Sequence, residues 1–287
     1  MNHKIIPGIS KNVKTLKYTK KADIISINSV KFMRWRMVKD ITSVKNPTYK
    51  FIKSLKMKKE RKKNGMFTVE GIKSVKDAVA AKCDIFLIAA SDKMEENFDF
   101  EEIYRVPDNI FVPLCDTDAP QGVIAVIKMA QKPKRAQTNP LCLYCDRVSD
   151  PGNMGTIIRI CDAVGADLML SPECADIYSP KTVRASMGSF FHINIAEDVK
   201  YADLVDMKKD GYTILAGALN GDTSDYRDNI YGEKTVIAVG NEANGVSEEV
   251  LKLCDRSIKI PIFGRAESLN VAVAAALMLY KAKELEI

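Results

Sequence analysis

The spacing of apolar residues in the first half of the chain predicts an alternation of helices and strands. Phe51, Ile52 and Leu55 recur at helical spacing among lysines, which predicts one amphipathic helix that ends in a charged turn at Gly65. A second helix is predicted over residues 71–82, and short apolar runs predict four strands: MFTVE, IFLIAA, NIFVPL and QGVIAVIKM. Strands that alternate with helices indicate an α/β layer domain of about 90 residues.

Beyond residue 140 the apolar runs are continuous and do not alternate with polar residues. They predict six strands: LCLYC, DLMLS, FFHINI, YTILAGAL, TVIAVG and SIKIP. The segments between them predict helices over residues 152–164, 182–187, 201–208 and 269–283, and another from Ser247. Strands that are apolar on both faces are typical of a parallel sheet covered by helices on both sides. The second half is therefore predicted to be a largely parallel α/β domain.

The remaining segments predict the domain boundaries. Residues 131–140 contain two prolines, three cationic residues and no apolar period, which predicts a linker between residues 37–130 and residues 141–287. A chain of 287 residues is long enough for two such domains. Residues 1–36 carry nine lysines and arginines against one aspartate and have no clear apolar period. We expect them to be an upstream extension of the reading frame or a disordered tail.

Charge is distributed unevenly along the chain. The formal net charge is +6, but residues 1–76 carry 21 lysines and arginines against 4 acidic residues, a net charge of +17, so the rest carries −11. A positive segment on an acidic chain favours a polyanionic partner such as nucleic acid, because each neutralised phosphate releases counterions. Lysine-rich helix faces are also common as solvated surface, so charge alone leaves both interpretations open.

Composition disfavours several classes of protein. The longest apolar stretch, residues 271–280, is shorter than the ~20 residues of a membrane-spanning helix, and the N-terminus has no apolar signal segment, so we expect a cytoplasmic protein. Seven scattered cysteines indicate reduced thiols and not a disulfide framework. Cys142 and Cys145 form a single C-x-x-C, and the chain has only two histidines, His3 and His192. No metal site is therefore predicted, and both cysteines are expected in a buried strand.

Three loops have the residues most typical of a binding site. Residues 146–159, 239–247 and 260–270 each begin at the end of a predicted strand and lead into a helix, where open α/β sheets bind ligands. Helix N-termini offer free N–H groups, and glycines there permit close approach of a ligand to the backbone. The chain contains neither a P-loop nor a G-x-G-x-x-G dinucleotide motif, so the expected small-molecule pocket is of another kind.

The sequences of these loops, together with residues 179–191, resemble the motifs of a known family. DPGNMGTIIR, SPKTVRASMGSFF, NEANGVS and IPIFGRAESLNVAVAAALMLY are similar, in this order, to the motifs of the SpoU (TrmH) family of SPOUT RNA methyltransferases. Residues 44–128, with NPTYK, FTVEG and APQGVIAV, are similar to the family's accessory substrate-binding domain, which resembles kink-turn-binding ribosomal proteins. The resemblance implies a C-terminal parallel-sheet domain tied in a trefoil knot and a smaller N-terminal α/β RNA-binding domain.

The same resemblance implies an activity and its partners. It implies 2′-O-methylation of RNA with S-adenosylmethionine as methyl donor, by a homodimer joined through the C-terminal domains and without a metal. Ribosomal RNA is the expected substrate because the accessory domain is more typical of that branch, and transfer RNA is the alternative. A rival hypothesis is a non-catalytic RNA-binding protein of the same fold, for instance in ribosome assembly. Methylation of a protein or small molecule is disfavoured by the basic N-terminal domain.

The resemblance assigns five catalytic residues: Arg159, Asn153, Glu242, Ser268 and Asn270. Arg159 is implied to contact the RNA phosphate and ribose, although an arginine there could merely pair with a carboxylate. A guanidinium stays protonated in proteins and is a poor base, so its role as a base or as an electrostatic positioner is left open. Asn153 and Ser268 could instead be helix caps, and Glu242 could simply meet a helix N-terminus.

Further residues are assigned to the cofactor and to RNA. The implied cofactor contacts, several of them through the backbone, are Leu215, Gly217, Gly240, Ile260 and Leu269. The expected RNA contacts are Lys58, Lys59, Arg61, Lys62, Lys181 and Arg184. The last two flank the turn SMGS and could also be surface charges. His192 is expected to be a half-buried strand residue and not a general base.

Overall fold

The computed structural model describes residues 19–27, 30–95, 98, 100, 102–129, 139–218 and 223–284. The strands are β1 (Thr19–Ile27), β2 (Val30–Asp40), β3 (Met66–Glu70), β4 (Ile85–Ser91), β5 (Glu102–Val106), β6 (Val123–Lys128), β7 (Leu141–Asp146), β8 (Asp167–Leu170), β9 (Ile195–Ala196), β10 (Thr213–Gly217), β11 (Thr223–Asp225), β12 (Thr235–Gly240) and β13 (Arg256–Lys259). The helices are α1 (Pro47–Ser54), α2 (Lys58–Asn64), α3 (Ile72–Ala80), α4 (Asp108–Phe111), α5 (Pro151–Val164), α6 (Pro180–Ala185), α7 (Tyr201–Lys209), α8 (Glu248–Leu253) and α9 (Val271–Glu284). None of these helices is long and apolar enough to cross a membrane.

The N-terminal sheet is mixed, with the strand order β1-β2-β5-β4-β6-β3. β5 is parallel to β2 and β4, whereas β6 is antiparallel to β4 and β3. The expected boundary after residue 36 falls inside β2, and only Met37–Asp40 of that strand pair with β5. Whether residues 1–36 are dispensable stays a prediction. Residues 1–18 and most of the predicted linker, residues 131–138, lie outside the described residues.

The C-terminal sheet has the strand order β11-β13-β10-β12-β7-β8-β9, and every described pair in it is parallel. Helices cover both faces. Leu143 of β7 packs in a buried cluster with Ile157 of α5 and Ala275 of α9, while Cys142 packs in another cluster with Leu204 of α7. The central strands are therefore buried on both sides, as their continuous apolar sequences predicted.

The cysteines of the C-x-x-C sequence point to opposite faces of this sheet. Cys145 lies in the cluster with α5 and α9, and Cys142 lies in the cluster with α7, because residues three apart in a strand alternate sides. Burial raises the pKa of the Cys142 thiol to about 12 and that of Cys145 well above its ordinary value. The expectation of a buried strand is confirmed, and all seven cysteines are free thiols.

The first predicted helix is instead two short helices, α1 and α2. Asn46 caps α1, since its side-chain oxygen accepts a hydrogen bond from the backbone N–H of Thr48 at 2.8 Å. The chain then turns, and Arg61 of α2 donates hydrogen bonds to the carbonyls of Leu55 and Lys56 at 2.8 and 2.7 Å. These carbonyls have no partner within α1, so the arginine stabilises the break between the helices.

Two predicted strands are wrong. NIFVPL forms α4 and a following helical turn, and the strand in this region is the less apolar β5. A short apolar run of this length cannot distinguish a buried strand from a buried helical turn. In FFHINI only the last residue, Ile195, lies in a strand, the two-residue β9, and His192 is an exposed turn residue, not a half-buried strand residue. Phe190 of that run belongs to a contact between the domains.

The two domains meet through an aromatic cluster. The ring of Phe67 in β3 lies 5.1 Å from that of Tyr178 and 5.5 Å from that of Phe190, between ring centroids. Tyr178 and Phe190 also pack edge to face, at 5.6 Å. All three side chains are buried. The N-terminal domain therefore packs against the segment around α6, directly beside α5.

Candidate active site

The predicted loops meet where the strand order of the parallel sheet reverses. β7 is flanked by β8, which follows it in sequence, and by β12, which comes much later. Asp146 at the end of β7 is in register with Gly240 at the end of β12, so the loops after these strands start side by side. Open α/β sheets form their ligand-binding crevice at such a switch point, outside the carboxyl ends of the strands.

Three of the five residues assigned to catalysis form one hydrogen-bonded chain here. The Asn270 side-chain amide donates to the Asn153 side-chain oxygen at 2.8 Å, and the Asn153 amide donates to Glu242 Oε1 at 3.0 Å. Glu242 also accepts longer bonds, at 3.4 Å, from backbone N–H groups of Ser149 and Asp150. The network thus joins the loops after β7 and β12 to the beginning of α9.

Asn153 and Ser268, which could have been helix caps, do not cap the helices of the site. Asp150, not Asn153, caps α5: its Oδ1 accepts a hydrogen bond from the Asn153 N–H at 2.7 Å. This bond, helped by Lys181 at 3.6 Å, lowers the pKa of the Asp150 carboxyl. Asn270 caps α9, since its side-chain oxygen accepts from the Ala272 N–H at 2.9 Å, and Ser268 does not. The side chains of Asn153 and Ser268 are therefore not used as caps.

Glu242 is held as a carboxylate. Its partial burial favours the protonated form, but hydrogen bonds from the Asn153 side chain and from backbone N–H groups outweigh that effect. The net result is a lowered pKa. A carboxylate with a lowered pKa is a weak base, and its oxygens already accept hydrogen bonds from Asn153 and the loop after β7. Its geometry suits the positioning of Asn153 better than the removal of a proton.

Two glycines permit the close packing behind this network. A Cβ on Gly240 would lie 1.9 Å from the carbonyl carbon of Gly245, because the loop after β12 folds back on itself. Asn241 and Gly245 hold that fold with two backbone hydrogen bonds. A Cβ on Gly155 would lie 2.4 Å from that of Ala185, so α6 packs directly on α5. Gly240 therefore has a structural requirement of its own, besides the assignment to the cofactor.

Arg159 is in a different environment from the network. It lies on α5, is exposed, and makes no hydrogen bond or ion pair with any residue that the structure describes. The alternative of an arginine merely paired with a carboxylate has no support among these residues. Ser268 is likewise exposed in the segment before α9. Two of the five assigned residues are thus free to contact a ligand.

The residues assigned to the cofactor are not equivalent. Gly217, Gly240 and Ile260 lie at or just after the ends of the neighbouring strands β10, β12 and β13. Leu269 is 39% exposed, whereas Leu215 is fully buried, so Leu215 can form a wall only from within the core. Phe263, which is not among the residues assigned from the sequence, is 90% exposed and gives the same segment a large apolar side chain.

The residues assigned to RNA also divide into two groups. Lys58, Lys59 and Lys62 of α2 are exposed. Arg61 is only 3% exposed, and its guanidinium forms an ion pair with Asp176 of the C-terminal domain at 2.6 Å. An RNA phosphate cannot reach it in this structure, so the prediction of an RNA contact at Arg61 is wrong, and the residue forms a contact between the domains. Side-chain burial could not be deduced from the run of basic residues around it.

Lys181 and Arg184 lie on α6 and make ion pairs at partly exposed positions. Lys181 is 3.6 Å from Asp150, the cap of α5, and Arg184 is 3.3 Å from Asp116 of the N-terminal domain. Such exposed pairs contribute little to stability and can exchange with a ligand phosphate. The assignment of both residues to RNA stays a prediction. The capping aspartate Asp150 was missed, although its place before a proline at the first helical position is a recognisable signal.

Comparison with known proteins identifies the chain. The SpoU rRNA Methylase family matches residues 140–280, and the MRM3-like substrate binding domain matches residues 46–125. The 23S rRNA (guanosine(2553)-2′-O)-methyltransferase RlmP of Bacillus subtilis is 35% identical over 248 residues, which are 85% of this chain and 98% of that protein. The chain belongs to the SpoU rRNA methylase family.

Two solved structures are similar to this SpoU family member over most of its length. The AdoMet-bound rRNA methyltransferase from Sinorhizobium meliloti has a TM-score of 0.77 and 32% identity, and the match covers 87% of this chain and 99% of that one. The SpoU methyltransferase AviRb from Streptomyces viridochromogenes, in complex with AdoMet, has a TM-score of 0.75 and 27% identity, over 84% and 98% of the two chains. The predicted family and fold class are confirmed, and the trefoil knot stays a prediction.

Proposed function

We propose that this protein transfers a methyl group from S-adenosylmethionine to a ribose 2′-hydroxyl of ribosomal RNA. The fixed chain of Asn270, Asn153 and Glu242 at the switch point supports the proposal, together with Arg159 on the same helix as Asn153, which has no hydrogen bond or ion pair among the described residues. The names of the relatives support the reaction and the class of RNA.

The loop after β13 fits S-adenosylmethionine. Backbone groups of residues 261–269 make no hydrogen bond to any described residue, so they are available to a ligand. A Cβ on Gly264 would meet nothing within 4 Å, and the apolar side chains of Phe263 and Leu269 are exposed nearby in sequence. An adenine ring needs an apolar slot with a few backbone partners, and this segment offers both. The assigned backbone contacts at Gly240 and Ile260, and the assigned wall residue Gly217, lie at or just after the ends of the neighbouring strands β12, β13 and β10.

The residues of the chain have distinct parts in the proposed reaction. Bound S-adenosylmethionine would supply an electrophilic methyl group on a sulfonium, and its transfer to the 2′-oxygen would release S-adenosylhomocysteine and the hydroxyl proton. Arg159 binds the RNA phosphate and ribose and brings the 2′-oxygen into line, because its guanidinium stays charged and has no other described partner. Glu242 keeps the Asn153 amide in one orientation, and Asn270 completes the chain from the cofactor loop. Ser268 adds a hydroxyl at the exposed edge of that loop.

We further propose a homodimer joined through the outer face of α9. Val273, Leu277 and Tyr280 recur at helical spacing on this helix and are 49%, 37% and 52% exposed. An apolar stripe of this kind is costly in water unless it is covered. Leu277→Asp should convert the dimer to a monomer in sedimentation equilibrium. A wild-type protein that sediments as a monomer, alone and with RNA, contradicts the proposal.

The test of the activity uses purified protein and radiolabelled S-adenosylmethionine. The RNA is total RNA from cells that lack the gene, and mapping of 2′-O-methyl sites should place the new modification in ribosomal RNA. Modification of transfer RNA instead would select the alternative substrate. Calorimetry in the presence of a chelator should detect binding of the cofactor. Failure to bind it, with or without RNA, would favour a non-catalytic RNA-binding protein.

A further inference from the structure

Arg61 is buried between the two domains, and its guanidinium donates three hydrogen bonds to residues that the structure describes. Nη1 donates to the carbonyls of Leu55 and Lys56, at 2.8 and 2.7 Å, and Nη2 donates to Asp176 Oδ2 at 2.6 Å. The side chains of Arg61 and Asp176 are 4% and 15% exposed. Nε is buried without a hydrogen-bond partner among the described residues. A buried charge without its counterion is unfavourable, so the carboxylate of Asp176 is required at this position.

The same helix presents the opposite kind of surface on its other side. Lys58, Lys59 and Lys62 of α2 are exposed, while Arg61 is the one buried residue of this helix. The planar fork of an arginine can bridge two carbonyls and a carboxylate at once, which a lysine ammonium cannot do in the same geometry. Arg61 therefore attaches the basic helix to the C-terminal domain and leaves its lysines outward.

Contacts continue from Asp176 to the helix that carries the site. The Asp176 carbonyl accepts a hydrogen bond from the Thr182 hydroxyl at 3.0 Å, which ties it to α6. α6 packs on α5 at Gly155, where the Thr182 carbonyl would lie 2.8 Å from an added Cβ. Asn153 and Arg159 are on α5. A continuous path of close contacts thus joins the lysine-bearing helix to the candidate catalytic helix.

Other contacts across the same boundary make the arrangement specific. The turn after α6 approaches α3 so closely that a Cβ on Gly188 would lie 2.4 Å from the Asp77 carboxylate. Lys73 of α3 also donates a hydrogen bond to the Met187 carbonyl at 3.3 Å. The aromatic cluster at Phe67 supplies the apolar part of the interface. Aromatic packing is less directional than a buried charge pair, so we assign the choice of orientation to Arg61 and Asp176.

We propose that Arg61 is a positioning residue: with Asp176 it fixes the orientation of the substrate-binding domain, so that RNA held by the lysines of α2 is presented to Arg159. This inference rests on the proposed function. Arg61 itself touches neither RNA nor cofactor. If the orientation were lost, RNA would still bind the exposed lysines, but the target ribose would spend less time in line with the methyl donor. The expected signature is a lower kcat at saturating RNA with unchanged affinity for both ligands.

The test compares Asp176→Asn with the control Asp116→Asn. In the wild type, Asp176 Oδ1 accepts a hydrogen bond from the Tyr178 N–H at 3.0 Å. The amide introduced by Asp176→Asn keeps an oxygen for this bond but removes the negative charge that faces Arg61. Asp116 forms an exposed ion pair across the same boundary, with Arg184 at 3.3 Å, so its variant removes a charge of the same kind from a solvated position. Arg61→Lys serves as a second variant, because it retains the charge and loses the fork.

Three measurements are made on each variant of the full-length protein. For Asp176→Asn we expect kcat on ribosomal RNA to fall about 10- to 100-fold, while the Kd values for that RNA and for S-adenosylmethionine stay within about twofold. The kcat of Arg61→Lys should fall less than that of Asp176→Asn, and the kcat of Asp116→Asn should stay within about twofold of the wild-type value. Unchanged kcat in Asp176→Asn overturns the proposal. A weaker RNA Kd with a shallower salt dependence in Arg61→Lys also overturns it, because Arg61 would then be an RNA contact.

Hydrogen exchange provides a readout that does not depend on activity. The exchange rates of backbone amides should rise in both α2 and α6 of Asp176→Asn and stay unchanged in Asp116→Asn. The reason is that the Arg61–Asp176 pair holds the two domains together at this boundary. A rise throughout the protein together with lost cofactor binding indicates general unfolding and contradicts a positioning role. If wild type does not methylate RNA, the proposed function fails and the presentation of RNA fails with it. The exchange data still decide whether this pair holds the two domains together.

Discussion

Arg61 and Arg159 were assigned to the same ligand, yet the structure places them in opposite surroundings. At the boundary between the domains, Arg61 is 3% exposed and bound to two carbonyls and a carboxylate. At the sheet edge, Arg159 is exposed and has no partner within the described residues. The guanidinium of Arg61 is occupied by contacts within the protein, and that of Arg159 is available for binding. A basic residue is therefore a candidate ligand contact only where the fold leaves its hydrogen-bond donors free.

The same distinction separates the residues of the candidate site. Asn153, Glu242 and Asn270 satisfy one another by hydrogen bonds, and Glu242 also accepts bonds from the loop after β7. They set a geometry before any ligand arrives. Arg159 and Ser268 have exposed side chains at the edge of that geometry. Preorganised groups of this kind reduce the cost of ordering a reaction site, and free groups supply the contacts that the ligand completes.

The largest effect is expected from Arg159→Ala, the free arginine. Methyl transfer should fall about 100- to 1,000-fold, because a charge that orients the RNA is lost. The affinity for S-adenosylmethionine and the melting temperature should hardly change, since no described contact is broken. Arg159→Lys should also fail substantially, because a point charge lacks the planar fork. The control Arg227→Ala removes a guanidinium already paired with Asp225 and should stay near wild type. Near-normal turnover in Arg159→Ala would remove this residue from the site.

A smaller effect is expected from Glu242→Gln in the fixed network. The amide cannot accept all the hydrogen bonds of the carboxylate, so Asn153 should lose its single orientation and kcat should fall about 10- to 100-fold. The control Glu248→Gln changes an exposed carboxylate of α8 and should remain within about twofold. A turnover of Glu242→Gln equal to wild type would show that the network is dispensable.

The pH dependence of stability also tests the contribution of the Glu242 carboxylate. The pKa of Glu242 is lower in the folded protein than its ordinary value of 4.5, so its stabilising contribution is complete above about pH 4.5. It is lost as the pH falls below that value through the folded-state pKa. Chemical denaturation should therefore show a constant difference between wild type and Glu242→Gln from pH 5 to 8, and a shrinking one below about pH 4.5. A difference that changes instead between pH 6 and 8 would contradict the lowered pKa.

The free lysines beside Arg61 should affect affinity and not the chemical step. Replacing Lys58, Lys59 and Lys62 by Gln should weaken RNA binding about tenfold and make its salt dependence shallower, because up to three phosphate contacts are lost. kcat at saturating RNA should stay within about twofold. Filter binding over a range of salt concentrations measures both quantities, with Lys209→Gln on α7 as the control. A fall in kcat without a change in affinity would mean that these lysines position RNA as Arg61 does.

The smallest effect is expected from a protein that begins at Met37. β2 pairs with β5 only through residues 37–40, so the truncation retains this part of the sheet. The truncated protein should fold, dimerise and methylate RNA within about twofold of wild type, by circular dichroism, sedimentation and turnover. Weaker RNA binding with a shallower salt slope would identify residues 1–36 as a basic arm. Loss of folding would contradict both expectations for this segment.

Much of the fold follows from local patterns. MFTVE is β3 residue for residue, and the helix predicted over residues 152–164 is α5. These segments were predictable because their apolar spacing agrees with their burial. NIFVPL and FFHINI were not, because each run is apolar for another reason: Phe111 is a buried helical residue and Phe190 belongs to the aromatic cluster between domains. An apolar run predicts that a segment is buried. Whether the buried segment is a strand or a helical turn depends on its tertiary contacts.

The family, the parallel sheet and the candidate site residues are predictable from the chain's motifs and continuous apolar strands. How those residues are used depends on the packing of distant segments. Asn153 and Asn270 are 117 positions apart, and nothing in their local sequences states that their amides meet. The charge of Arg61 was visible in the sequence, but its burial depends on Asp176, 115 positions away. Solvent exposure and pairing are properties of the packed chain, and they separate a residue that holds the fold from one that can bind RNA.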